Sequence, residues 1–225
     1  MCGRYSITAN ADAIRERFAA DAQGELLLPR YNIAPSQPAP VVVVESGKRV
    51  LTQYRWGLIP SWSKAAAIGN RMINARAETL AERISFNRLL KKNRCLVIAD
   101  GFFEWVNEGP AKVPMRILLK SKELFAFAGL WDKWMAPDGN EMRSFSIITT
   151  TSAAHGLMEP MHSRMPVILS RENEGVWLES NLETIALSAK TLTQYPSQFM
   201  DCYEVSKVVN SPSNDIEKCV ERMKS

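Results

Sequence analysis

Residues 95–106, CLVIADGFFEWV, place two short apolar runs side by side, CLVIAD and GFFEWV, both rich in β-branched and aromatic residues. Runs of this length and composition read as strands, because branched and aromatic side chains pack well on a pleated surface and are too few here to build a helix. The signal continues downstream in PMRILLK (114–120), LFAFAGLW (124–131) and RSFSIITTT (143–151), with shorter candidates in PVILS (166–170) and DCYEVS (201–206). Upstream, VVVV (41–44) and RVLTQYRW (49–56) flank Ser46-Gly47, a hairpin signal.

Helical patterning is sparser and lies between these strands. TANADAIRERFAADA (8–22) reads as a short amphipathic helix capped by Thr8 or Asn10, with Ile14 and Phe18 on one face. Helical character returns from about Ala77 in ARAETLAERISFNRLLKKN, in one or two pieces, and RENEGVWLES (171–180) reads as a small helix capped at Ser170. RYNIAPSQPAP (30–40) carries three prolines and is expected to be extended and irregular; GLIPSWSKAAAIGN (57–70) is expected to be a loop with an exposed Trp62. Strands joined by short turns, with peripheral short helices and no repeat or linker, predict an α+β fold in a single domain over 1–225, its core a mostly antiparallel sheet, barrel-like or sandwich.

The 225 residues suffice for one substantial core, and 46% hydrophobic and 23% charged residues are ordinary for a globular chain. A net charge of +4 suits an anionic partner without demanding one. Cys2, Cys95, Cys202 and Cys219 form no CxxC pair, and with only His155 and His162 to add, no metal site and no cofactor is expected. No apolar run reaches the roughly 18 residues of a membrane span, and the start lacks the apolar core of a secretory signal. An intracellular, cytoplasmic protein with reduced thiols is the expectation.

Four polar clusters stand out: Cys2-Gly3-Arg4, Asn74-Ala75-Arg76 with Glu78, Glu104 inside GFFEWV, and His162 in MHSRMPVIL. Each alone has an ordinary structural reading, as an incidental N-terminal cysteine, a loop or cap, the solvent face of an edge strand, or an ordered loop histidine. Phe102, Phe103 and Trp105 surround Glu104, however, and an apolar setting raises a carboxyl toward the range of a general acid. Histidine is the side chain whose ordinary charge change falls near neutrality, and His162 is one of only two in the chain. The chain has no GxSxG elbow, phosphate-binding glycine loop, HExxH or dinucleotide fingerprint to compete with them.

MCGRY (1–5), RYNIAPSQ (30–37), WGLIPSW (56–62), INARAET (73–79), ADGFFEW (99–105) and HSRMPVIL (162–169) together resemble the SRAP family, the abasic-site processing proteins once described as SOS-response-associated peptidases. The motifs run in family order from residue 2 to about 170, with a weaker echo in VSKVVNSP (205–212). The resemblance implies recognition of abasic sites in single-stranded DNA, with single-strand/double-strand junctions left open as a further substrate, by a monomer that bonds covalently to the lesion through Cys2 once Met1 is removed. Asn74, Glu104 and His162 match the other active-site positions, and Arg4 and Arg76 match residues that hold phosphates. Trp62 and the NIAP stretch, Asn32 to Pro35, match parts of the DNA-facing surface.

The chemistry accounts for a cysteine at position 2. A free α-amine has a pKa of about 7.7–8.0, so part of it is nucleophilic at neutral pH. It forms a Schiff base with the open aldehyde, and the thiol on the same residue then closes a thiazolidine in an intramolecular step. The expected activity is therefore a largely single-turnover crosslink with lyase-type cleavage as a side reaction. Two rivals remain at this point: a thiol peptidase or autopeptidase using Cys2, and a non-catalytic single-strand binding module built on Trp62.

Overall fold

The computed structural model describes residues 2–26, 28–178 and 191–223. Met1, whose removal the chemistry above requires, and Glu179-Ser180 at the end of the third expected helix lie outside the described residues. The strands are β1 (Tyr5–Ile7), β2 (Asp21–Ala22), β3 (Arg30–Ile33), β4 (Pro38–Glu45), β5 (Lys48–Trp56), β6 (Asn74–Arg76) and β7 (Arg94–Ala99), followed by β8 (Gly101–Glu108), β9 (Ala111–Leu119), β10 (Phe125–Met135), β11 (Glu141–Thr151), β12 (Arg164–Pro166), β13 (Ile168–Leu169) and β14 (Met200–Glu204). Among the described residues, short helices accompany them at α1 (Ala11–Phe18), α2 (Ile84–Lys92) and α3 (Arg171–Leu178).

The strands form two sheets. One is open, in the order β14-β9-β8-β1-β3. The other runs β12-β11-β10-β7-β4-β5-β2, with β6 and β13 attached to β11 and β10. Because β11 also pairs in parallel with β5, through Ser144 with Arg55 and Phe145 with Trp56, the strands β11, β10, β7, β4 and β5 close into a ring. The fold is thus α+β and mostly antiparallel, with a barrel-like core, as the strand signals predicted.

The stretch 95–106 is the passage between the two sheets. Ala99 ends β7 opposite Phe125 of β10, and Gly101 opens β8 opposite Ser6 of β1. Asp100 lies at the bend, and its carboxylate accepts from Ser6 Oγ (2.6 Å), Thr8 N (2.6 Å) and Arg116 (2.8 Å). Phe102 thereby reaches the barrel core, meeting Phe127 edge to face with ring centroids 5.9 Å apart; Tyr5 meets Trp56 at 5.1 Å. Such aromatic pairs add about 0.5–1.5 kcal/mol beyond the area they bury.

Local signals mostly act as read. Ser46 and Gly47 both adopt positive φ, 50° and 77°, the sign pattern of a type I′ hairpin turn. Asn10 caps α1 through Ala13 N (2.9 Å), while Thr8 is drawn to Asp100 instead. The helical stretch after Ala77 divides into a 3-10 turn, Ala77–Thr79, and α2.

Two expectations change. RYNIAPSQPAP is ordered as β3 and the start of β4. Counted from the Glu45–Lys48 pair at the turn, Pro38 and Pro40 fall on non-hydrogen-bonded positions of the β5 ladder, and β7 pairs only with Val41 and Val42, so neither missing N–H is needed. Within 57–70, Ala66–Arg71 forms a 3-10 helix. Its Gly69 lies against Gly57, where a Cβ on either would stand 2.6 Å from the other's carbonyl oxygen, so the two glycines pin both ends of the Trp62 loop together.

Candidate functional site

Strand register carries Cys2 to Glu104. Tyr5 pairs with Phe102, Ser6 with Gly101, and Phe103 N donates to Arg4 O (2.9 Å), so continuing the ladder sets Gly3 against Glu104. Alternation along β8 puts Glu104 on the face of Phe102, toward the main core, and Phe103 with Trp105 on the other. Cys2 is fully buried and Glu104 is 6% exposed.

β6 supplies the third group. It runs parallel to β11, Asn74 opposite Ile147, and Asn74 Nδ2 donates to the Cys2 carbonyl at 2.8 Å. Its Oδ1 is buried and, among the described residues, has no protein partner. One end of this amide holds the Cys2 backbone, and the other is an unused acceptor beside it.

His162 enters from the loop between β11 and β12. Its Nδ1 accepts the Arg164 N–H (2.9 Å), which leaves the proton of the neutral ring on Nε2. Arg164 forks onto Glu78 (2.8 and 2.9 Å), two residues beyond β6, and so ties the His162 loop to the strand that holds Asn74. Glu104 and His162 line one cavity of about 520 Å³ with Trp105, Lys112 and Asn210. His155, by contrast, is fixed at both ring nitrogens, to Tyr195 O and Met158 N, in the interior.

Electrostatics follow from this burial. Desolvation pushes the Glu104 carboxyl up from the ordinary carboxylate range, while nearby positive charge, the His162 imidazole included, pulls the other way. Burial, and then the charge of Glu104, push the Cys2 thiol far up, so at neutral pH it is a protonated thiol.

A second, larger cavity of about 860 Å³ has Asn74 in its wall. Trp62, Arg71, Arg76, Arg83 and Ile84 line it. Trp62 is 56% exposed, on a loop held by Ser61 N to Asp132 (2.8 Å) and Trp134 Nε1 to Ser63 O (2.7 Å). Arg71 and Arg83 escaped sequence reading because nothing in their local pattern separates them from solvent-facing arginines; only folding brings them beside Arg76.

The other expected surface residues are placed differently. Asn32 is fully buried, with its amide donating to Val209 O (3.2 Å), Ser211 O (3.0 Å) and Asn214 O (2.7 Å), and it has no surface to offer a strand. Arg4 is 9% exposed, and its NH1 is committed to Asn32 Oδ1 and Val209 O, both at 2.7 Å. Pro35 is half-buried. The NIAP segment and Arg4 thus sew the C-terminal residues onto β1 and β3, helped by Asp215, which accepts from Tyr31 N (2.6 Å) and Asn32 N (2.8 Å). That stitching brings Asn210 to the site, a residue the weak VSKVVNSP pattern did not single out.

Among the described residues, no cluster of three or more His, Cys, Asp or Glu could hold a metal ion, and no helix is long and apolar enough to cross a membrane.

The whole arrangement has relatives. Abasic site processing protein YoqW of Bacillus subtilis (strain 168) is 45% identical over 225 residues, covering 98% of this chain and 99% of that protein. Abasic site processing protein HMCES of Rattus norvegicus is 32% identical over 270 residues, covering 98% of this chain and 75% of the relative. The crystal structure of a protein from Bacteroides thetaiotaomicron superposes with a TM-score of 0.86 at 29% identity, covering 99% of this chain and all of the other. The family model described as SOS response associated peptidase (SRAP) matches residues 1–212, and the chain belongs to that family.

Proposed function

We propose that this chain, acting as one domain over 1–225, senses abasic sites in single-stranded DNA and crosslinks to them through Cys2. The observation that carries the reading is Asn74, which lines a basic cavity with an exposed indole, holding the backbone of a buried Cys2 whose thiol feels the charge of Glu104. Relatives named as abasic site processing proteins along nearly the full chain support the substrate.

With Met1 removed, the α-amine of Cys2 adds to the open aldehyde of the lesion, and loss of water leaves an imine. Glu104, whose burial favours the protonated form, donates to the sugar ring oxygen to open the hemiacetal and recovers the proton in the reverse step. His162, with its proton on Nε2, moves protons during addition and dehydration. The Cys2 S–H then adds across C=N: sulfur bonds to carbon, the proton goes to nitrogen, and the thiazolidine forms. On this reading the buried Asn74 Oδ1 accepts from the amine. Arg76, with Arg71 and Arg83, neutralises phosphates without reading sequence, and a base stacks on Trp62 for roughly 1–3 kcal/mol.

A peptidase would need the Cys2 thiolate, and the upward push on this thiol opposes that. The amine-first route uses the neutral thiol. Cys2→Ser with a native N-terminus tests it: the amine remains, so borohydride reduction should trap the imine, while the untreated mixture should yield no heat-stable adduct. A Ser variant that borohydride cannot trap would remove the amine from the mechanism.

A further inference from the structure

We propose that Asn210 is a strand-binding residue, its side-chain amide donating a hydrogen bond to a phosphate oxygen of a nucleotide flanking the lesion on the His162 side. The proposal rests on the abasic-strand reading above. Trp105 Nε1 lies 2.7 Å from Asn210 Oδ1. An indole N–H only donates, so the oxygen of Asn210 must face it and the NH2 must point the other way. Asn210 is exposed and lines the same cavity as Glu104, His162 and Lys112. Among the described residues, the NH2 has no protein partner.

The neighbours fit an anionic oxygen. Lys112 brings a positive charge to the cavity wall, and the Arg4 guanidinium lies 5.7 Å from the ring centroid of Trp105, the residue that orients Asn210. Arg71, Arg76 and Arg83 line a different cavity, so Lys112 and Asn210 supply the cation and the amide donor of the cavity that holds His162. A donor fixed by an indole keeps its direction at little entropic cost, unlike a lysine.

Substitution separates this role from a propping one. Asn210→Asp keeps an oxygen for Trp105 and replaces the donor with a second acceptor; Asn210→Ala loses both. Affinity is read by anisotropy, with the full chain, for a single strand carrying one tetrahydrofuran abasic analogue, which binds without covalent chemistry. Asn210→Ala should weaken binding at least roughly tenfold, the lower end for a hydrogen bond to a charged group, and Asn210→Asp more than that. Both effects should vanish on a strand truncated at the lesion on one side, 5′ or 3′, and persist on the opposite truncation.

Asn173→Asp on α3, outside both cavities, controls for added negative charge and should bind as wild type does. If Asn210→Asp matches wild type while Ala is weakened, Asn210 only braces Trp105. If Asn173→Asp weakens binding as much as Asn210→Asp, the effect is net charge; either result overturns the proposal. A wild-type protein that does not prefer the lesion strand over an intact one would instead overturn the abasic-site reading itself.

Discussion

The side-chain amide of Asn74 donates to the main-chain carbonyl of Cys2 at 2.8 Å, joining positions 72 residues apart in the chain. Chain starts ordinarily fray, and a nucleophile there would sample many orientations. Here the strand that carries Asn74 is fixed in register on β11, so the N-terminus inherits the rigidity of the barrel.

Asn74→Ala should therefore slow crosslinking about 100-fold, the cost of a nucleophile displaced by an ångström or so, while lowering stability by only about 1 kcal/mol. Asn74→Asp, which turns an acceptor toward the Cys2 carbonyl, should be at least as slow. Single-turnover rates beside urea unfolding curves check both; a stability loss matching the rate loss would make Asn74 merely structural.

Glu104 ties stability to pH. Its folded value is raised above the ordinary 4.5, so the folded state holds the proton more tightly than the unfolded chain, and its contribution is present below 4.5 and lost as pH rises through the folded value. Glu104→Gln, neutral at all pH, should raise Tm by roughly 2–4 °C at pH 8 and leave it unchanged at pH 4. The same variant should open the abasic sugar at least roughly 100-fold more slowly, within the span of general acid catalysis. A Tm difference independent of pH would contradict the buried-acid assignment.

Glu78 should matter to rate more than to folding. Burial works to raise its carboxyl, and hydrogen bonds from the Arg164 fork outweigh that and hold it low. With the Glu78 side chain 44% exposed, the pair contributes little stability, under about 1 kcal/mol. Removing it loosens the loop that carries His162, so Glu78→Ala should lower the crosslinking rate at saturating strand roughly fivefold, with half-saturation unchanged. A change in half-saturation alone would place the pair in binding instead.

Asp215 tests the C-terminal stitching. Its carboxylate takes two backbone N–H groups and the Arg30 guanidinium at 26% exposure. Asp215→Ala should cost about 2–4 kcal/mol, seen as a lower urea midpoint at constant slope. A loss below about 0.5 kcal/mol would mean that the tail holds without it.

What the sequence made legible follows from the range of each signal. The Ser46-Gly47 turn, the α1 cap and the strands around Phe102 and Phe127 are set by neighbours within a few residues, and they formed as read. Asn32, expected on the DNA-facing surface, is instead buried under three carbonyls, because a motif reveals that a residue matters without revealing which way it faces. Asn210, Arg71 and Arg83 were silent because their meaning depends on contacts across long separations, such as the 105 residues between Trp105 and Asn210. Glu104 was readable because its apolar flanks forecast its burial.

The most direct test mixes the protein with an oligonucleotide carrying one abasic site and resolves the products on a denaturing gel, beside Cys2→Ala and a form with extra residues ahead of Cys2. The account predicts a heat-stable shifted band for the native N-terminus alone, with a mass equal to protein plus strand less one water. A band that survives in Cys2→Ala or in the extended form, or its absence in all three, would contradict the central role given to Cys2.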